Sequence, residues 1–222
     1  NEKLLGIIMH ELKKPNGMIL NTGPTGSGKT TTLYAFLKKI HTPEIKMITI
    51  ENPIEYHLKG IVQTQVEEEK GYTFLEGLRS ALRQDPDVIM VGEIRDNETA
   101  EIAINASLTG HLVFSTLHTN NAAGTFPRLI DLGVNPKVIT SAINIAMAQR
   151  LVRKLCNKCK KKAVLGEKEN ILMKNVLDSV LDKNYLKGLD PQNIYEAVGC
   201  QECNFTGYKG RTGIYEAILT DE

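Results

Sequence analysis

Residues 18–30 read Met18-Ile19-Leu20-Asn21-Thr22-Gly23-Pro24-Thr25-Gly26-Ser27-Gly28-Lys29-Thr30, and this stretch decides the fold class. Gly23 to Thr30 is a glycine, four residues, then Gly-Lys-Thr, the Walker A pattern. The apolar run Met18-Ile19-Leu20 before it reads as a short buried strand. After it, Thr31 to Ile40 places Leu33, Phe36, Leu37 and Ile40 at helical spacing. A strand, a glycine-rich turn and a helix are the context in which this motif cradles phosphate.

Each residue type has a chemical reason. Glycines let backbone N–H groups approach phosphate oxygens with no Cβ in the way, and the start of the helix adds a partial positive charge there. A lysine at position 29 reaches the β- and γ-phosphates, and the Thr30 hydroxyl is a Mg²⁺ ligand. Gly23, Pro24, Thr25, Gly26, Ser27, Gly28, Lys29, Thr30 and Thr31 are therefore the expected nucleotide-binding set.

Further strands follow on either side of expected helices. Met47-Ile48-Thr49-Ile50 is apolar and runs into Glu51-Asn52-Pro53-Ile54-Glu55, where Pro53 cannot continue a central ladder. The carboxylates of Glu51 and Glu55 are thus expected at the strand's C-terminal end, the edge where open α/β sheets bind ligands. Val62 to Val66 alternates like an exposed strand, and Thr73 to Arg83 reads as a helix with Phe74, Leu75, Leu78 and Leu82 inward. Val88-Ile89-Met90-Val91 followed by Gly92-Glu93 is the Walker B arrangement, in which the acid faces Mg²⁺. Asp96-Asn97 caps a helix that Gly110 stops, Leu112 to Leu117 is a fourth buried strand, and His118 stands at its exit. Residues 3–12, 121–133 and 135–148 read as helical. Alternation of strands and helices predicts a parallel, doubly wound sheet.

Composition excludes several classes. Over 222 residues the net charge is +1, aromatics are 5% and Trp is absent, so neither a basic field nor stacking platforms point to nucleic acid. No apolar run approaches the roughly 20 residues of a membrane span. The first residue is Asn1 rather than Met, which predicts a fragment. Composition changes after Arg150: Arg153, Lys154, Lys158, Lys160, Lys161 and Lys162 crowd around Cys156 and Cys159 with no acid among them. Residues 170–183 read as an amphipathic helix (Leu172, Met173, Val176, Leu177, Val180, Leu181), and Cys200 and Cys203 follow. Residues 1–150 are therefore expected to be the nucleotide-binding core, and 151–222 an appended subdomain that returns to it. Two Cys-x-x-Cys pairs in a nucleotide-binding protein, expected to be cytosolic, suggest a metal rather than disulfides; two pairs of reduced thiols remain the alternative.

The run Leu82-Arg83-Gln84-Asp85-Pro86-Asp87-Val88-Ile89-Met90-Val91-Gly92-Glu93-Ile94-Arg95-Asp96 closely resembles the signature of type II secretion and type IV pilus assembly ATPases. The resemblance extends from the Walker A loop to Gly210-Arg211-Thr212-Gly213-Ile214-Tyr215-Glu216. It implies a RecA-like fold, a twisted mostly parallel sheet with helices on both faces. It also implies that Glu93 is the Walker B glutamate, and that Thr49 to Glu55 is the family's Asp box with Asn52 in place of its aspartate. Glu55 is then the carboxylate that activates water, with Glu51 the second candidate. Gly110-His111 and Thr116-Leu117-His118-Thr119 look like the His box, with His118 beside the γ-phosphate. Cys156, Cys159, Cys200 and Cys203 resemble the tetracysteine zinc site of the secretion and pilus-extension branch, a closed shell and hence structural.

The resemblance implies an ATP-hydrolysing motor that works as a hexamer against an inner-membrane platform protein, at the cytoplasmic face. It further implies a preceding domain before Asn1 and more helix past Thr220-Asp221-Glu222. Two other readings stand beside it. One is a RecA-like nucleic-acid translocase, which DNA-stimulated hydrolysis would reveal; the other is a nucleotide-gated interaction module with little turnover.

Overall fold

The computed structural model describes residues 2–181, 183–190 and 193–220. Asn1, Asp221 and Glu222, at the ends where the resemblance implies further chain, lie outside the described residues, as does Asp182 of the helix expected over 170–183. The elements in order are α1 (Glu2–Glu11), β1 (Gly17–Thr22), α2 (Lys29–Ile40), β2 (Met47–Glu51), β3 (Val62–Gln65), α3 (Phe74–Leu82), β4 (Val88–Val91), α4 (Asn97–Leu108), β5 (Leu112–Leu117), α5 (Thr125–Asp131), α6 (Pro136–Ala142), β6 (Ile143–Leu155), β7 (Lys161–Lys162), α7 (Glu167–Ser179), β8 (Tyr195–Glu196) and β9 (Tyr208–Leu219). Two compact units result, one of residues 1–151 and 213–222, the other of residues 152–212. Among the described residues no helix is long and apolar enough to cross a membrane.

The first unit is built on a seven-stranded sheet in the order β3-β2-β4-β5-β1-β6-β9. β1 pairs parallel to both β5 and β6, β2 to β3 and β4, and β4 to β5. Side chains alternate across the sheet, as strand geometry requires. Met18, Leu20, Ile48, Ile50, Ile89 and Val91 face one side and pack with α3, α4 and α6 residues such as Leu78, Ala103 and Ile139. Ile19, Met47, Met90, Phe114 and Ile145 face the other and pack with Ile8 and Leu12 of the α1 segment and Leu33, Tyr34 and Leu37 of α2. Helices thus cover both faces, which explains why the strands read as continuous apolar runs. The parallel, RecA-like organisation expected from the sequence is the one observed.

Local signals set the helix boundaries. The Thr73 side chain accepts from Glu76 N and caps α3, and Asp96 accepts from Thr99 N and caps α4. Such caps contribute about 1 kcal/mol each.

One expectation fails here. The helix expected over 135–148 stops at Ala142, and Ile143-Asn144-Ile145-Ala146-Met147-Ala148 instead opens β6. Ile143 and Ile145 to Ala148 pair with Met18 to Thr22 of β1, with Asn144 at a register shift, and all six are buried. A strand covered on both faces has no visible alternation, and pairing with the central strand outweighs the helix preference of Ala and Met. The expected helix over 121–133 is likewise shorter, Thr125–Asp131.

In the second unit, Lys161 and Lys162 of β7 pair antiparallel with Glu196 and Tyr195 of β8. α7 begins after Gly166, with Glu167 and Glu169 in its first turn where they complement the helix dipole. It ends earlier than expected, because Val180 has extended backbone. Its apolar residues are divided: Ile171, Leu172 and Val176 are 56–65% exposed, whereas Met173 and Leu177 are half-buried.

Candidate nucleotide site and thiol cluster

Parallel pairing brings the C-terminal ends of β1, β2, β4 and β5 to one edge of the sheet. β1 delivers the loop Gly23–Gly28, β4 delivers Glu93, β5 delivers His118 and β2 delivers Glu51 with the segment that follows it. Sequence-distant groups therefore meet where such sheets bind ligands.

The loop is held in a shape only glycine allows. Gly23 has φ +145°, and a Cβ there would lie 2.4 Å from the Gln149 carbonyl oxygen. Gly28 sits at the N-terminus of α2 with φ +88°, its own Cβ position 2.9 Å from Gln149 Nε2. Gln149 is buried and serves as the floor of the loop: its Oε1 accepts from Asn21 Nδ2 at 2.9 Å and from Thr32 Oγ1 at 2.8 Å. Gln149 carries no motif and directly follows the segment 135–148 that reads as helical, so the sequence does not mark it. Lys29 Nζ donates to the carbonyls of Gly23 at 2.9 Å and Pro24 at 3.2 Å. Burial pulls the Lys29 pKa down, and the neighbouring Glu93 charge opposes this, so Lys29 and Glu93 share one electrostatic site. Ser27 Oγ is buried without a hydrogen-bond partner. Pro24, Thr25, Gly26 and Thr31 are exposed, and Thr30 is half-buried. This set fits a triphosphate with its metal: backbone and lysine donors for phosphate, and the oxygen donors of Thr30 and Glu93 for Mg²⁺.

Glu93 takes a donor on each oxygen. Arg95 pairs with Oε1, and His118 Nε2 lies 3.2 Å from Oε2. The Glu93 bond in turn raises the Arg95 pKa, against the opposing effect of burial. Threonines and a serine in the buried strand ends fix this arrangement. Ser115 Oγ donates to Val91 O and Thr116 Oγ1 to Gly92 O, while Thr22 Oγ1 donates to Leu117 O and accepts from Thr119 N. His111 lies elsewhere. It precedes β5, and its Nδ1 is 3.1 Å from Ala106 O. The six residues of β5 at about 3.3 Å each put it roughly 20 Å from the exit of that strand.

The two carboxylates of the Glu51–Glu55 stretch are placed differently. Glu51 is 2% exposed and hydrogen-bonded to Tyr34, Thr49 and Gln63. Glu55 and Asn52 are exposed.

In the second unit the Sγ atoms of Cys156, Cys159, Cys200 and Cys203 all lie within 4.8 Å of one another. The distances Cys156–Cys200, Cys159–Cys203 and Cys200–Cys203 are 4.0, 3.8 and 3.8 Å. Four sulfurs at about 2.3 Å from a tetrahedral zinc are about 3.8 Å apart, so the quartet fits that ion. Backbone amides already point at the sulfurs: Gly199 N at Cys159, and Cys200 N and Gly207 N at Cys203. Burial alone pushes the Cys203 thiol up, but the two amides bring it down to about 6, whereas burial and the neighbouring thiols raise Cys200 to about 11.

All of residues 1–222 match the family described as Type II/IV secretion system protein. The type II secretion system ATPase E of Vibrio cholerae is 52% identical over 211 residues, 95% of this chain and 40% of that protein. The type IV pilus assembly ATPase PilB of Myxococcus xanthus is 48% identical over 212 residues, 93% of this chain and 35% of that protein. Among solved structures, the pilus retraction motor PilT with bound ADP superposes with a TM-score of 0.61 at 36% identity, covering 81% of this chain and 56% of that one. The chain spans about two fifths of the length of the secretion ATPase it matches.

Proposed function

Because the chain belongs to the Type II/IV secretion system protein family, we propose that it is the ATP-hydrolysing segment of a motor that secretes proteins or extends type IV pili. The observation that carries this reading is the shared edge of Lys29, Thr30, Glu93 and His118, since phosphoryl transfer depends on placing donors and cations around the transferring group. Relatives named as ATPases and a neighbour with bound ADP support it.

In this reading the loop amides and Lys29 hold the phosphates, and the floor made by Gln149 keeps the loop in register. Thr30 and Glu93 are the residues that would hold Mg²⁺, which would neutralise charge on the phosphates. Arg95 and His118 fix the Glu93 carboxylate, and His118 is placed as the γ-phosphate neighbour. Glu55, exposed on the loop after β2, orients and polarises the attacking water. The unit of residues 152–212 is a zinc-stabilised appendage to the core. Assembly as a hexamer, work against an inner-membrane platform protein and residence at the cytoplasmic face belong to the same proposal, and so does action without nucleic acid.

Single-turnover ATP hydrolysis in the intact protein tests the reading. Glu55→Gln should bind ATP as the parent does and hydrolyse it at least about 100-fold more slowly, as expected for a group acting in the transition state. Unchanged turnover in that variant would take the water-activating role from Glu55.

A further inference from the structure

Glu51 is an acid at the edge of a nucleotide site, yet it is 2% exposed. We infer that Glu51 acts as a positioning residue, and that with Tyr34 and Gln63 it clamps the Glu55 loop to the P-loop helix α2. This inference rests on the role given to Glu55 above.

Both oxygens of the Glu51 carboxylate are hydrogen-bonded. Its Oε1 accepts from Thr49 Oγ1 at 2.6 Å and Gln63 Nε2 at 2.9 Å, and its Oε2 accepts from the Tyr34 hydroxyl. Thr49 and Tyr34 are themselves fully buried. To reach a water, Glu51 would have to abandon hydrogen bonds that no solvent replaces, which is unfavourable for a buried acid. Burial and then the Glu51 bond hold the Tyr34 hydroxyl well above the ordinary tyrosine range, so it stays a donor.

The same partners grip the neighbouring loop. Tyr34 lies on α2, four residues after Thr30, and its ring meets Tyr56 edge to face with centroids 4.7 Å apart. Gln63 Nε2 reaches the Tyr56 carbonyl at 3.3 Å, and its Oε1 accepts from Leu58 N. Gln65, two residues further along β3, accepts from Ile54 N at 3.1 Å. Glu55 is thus fixed on both sides, at Ile54 and Tyr56, while it is itself exposed. Tyr34 links the helix that starts at the phosphate site to the loop that carries the general base, so a shift of one is felt by the other. Displacing a base by about 1 Å can cost about 100-fold in rate.

The experiment compares Glu51→Gln, Glu51→Ala, Tyr34→Phe and Glu55→Gln in the intact protein, reading kcat, KM for ATP, ATP affinity and Tm. Glu51→Gln keeps the clamp, because its oxygen still accepts from Thr49 and Gln63 while its amide donates to the Tyr34 oxygen. It should keep kcat within about threefold, whereas Glu55→Gln loses at least about 100-fold. Tyr34→Phe retains the ring contact but loses the hydroxyl, and with Glu51→Ala it should lower kcat about 10-fold with KM and ATP affinity unchanged. Loss of activity in Glu51→Gln equal to that of Glu55→Gln would make Glu51 a chemical participant and overturn the inference. A lower Tm with unchanged kcat in Tyr34→Phe and Glu51→Ala would overturn it as well, reducing the clamp to packing. Full turnover in Glu55→Gln would instead remove the reading on which it rests.

Discussion

His118 Nε2 lies 3.2 Å from Glu93 Oε2 although 25 residues separate them in the chain. Their meeting follows from the register of two adjacent parallel strands, with Val91 of β4 opposite Ser115 of β5 and each acid or imidazole at the strand exit. Arg95 occupies the other Glu93 oxygen, so the carboxylate is held from both sides.

This pairing predicts a rate effect with little binding effect. His118→Ala should retain ATP binding and slow single-turnover hydrolysis by about 10- to 100-fold, at or below the foot of the roughly 100- to 10,000-fold that a proton-transferring group supplies, because His118 acts through Glu93. Isothermal titration with a slowly hydrolysed ATP analogue and quenched-flow hydrolysis measure the two quantities. A defect in binding alone would assign His118 to uniform nucleotide contact.

The floor beneath the loop gives a second prediction. Gly23→Ala places a methyl 2.4 Å from the Gln149 carbonyl at φ +145°, a backbone and steric strain of about 1–3 kcal/mol. At about 2–4 °C per kcal/mol for a chain of this size, Tm should fall by several degrees. ATP affinity should fall as well, because the loop must move away from Gln149. Unchanged affinity would mean that the loop takes up its binding shape without that floor.

Strand and helix identity was legible wherever the local pattern and the tertiary environment agree. β1, β2, β4 and β5 combine apolar runs with turn residues, and Asp96 and Thr73 cap helices in the way their chemistry dictates. Residues 143–148 were not legible, since Ala and Met favour a helix and only pairing with β1 makes them a strand. The site was legible as motifs, because Walker A, Glu93 and His118 each stand at a strand exit. Its supports were not. Gln149 bonds Asn21 across 128 residues, and Glu51 is enclosed by Tyr34 and Gln63, which are 17 and 12 residues away. No periodicity marks such partners. In α7 the spacing matches the helix observed, but helical spacing alone could not say that Ile171, Leu172 and Val176 stay exposed.

The thiol cluster predicts about one zinc per chain by elemental analysis. Zinc needs thiolates, so loading competes with protons: amide hydrogen bonds lower the Cys203 thiol while burial and the neighbouring thiols raise Cys200, so the quartet must release protons on binding. Zinc affinity should therefore rise with pH between 6 and 8, with proton release on binding. Chelation or Cys156→Ser should accelerate proteolysis within residues 160–199 and leave ATP binding intact, because Gly23 to Thr30 belong to the other unit. Metal-free protein with unchanged proteolysis in Cys156→Ser would leave the four thiols without a structural role.

Hydrolysis by the Lys29→Ala variant decides whether the loop from Gly23 to Thr30 binds and turns over ATP. Lys29 carries the cation next to Gly23 and Pro24 and within electrostatic reach of Glu93. Its loss should lower the rate of ATP hydrolysis in the intact protein at least about 100-fold, because positioning and charge neutralisation supply most of the catalysis in phosphoryl transfer. Hydrolysis by Lys29→Ala at the parent rate would contradict the assignment of this loop as the nucleotide site.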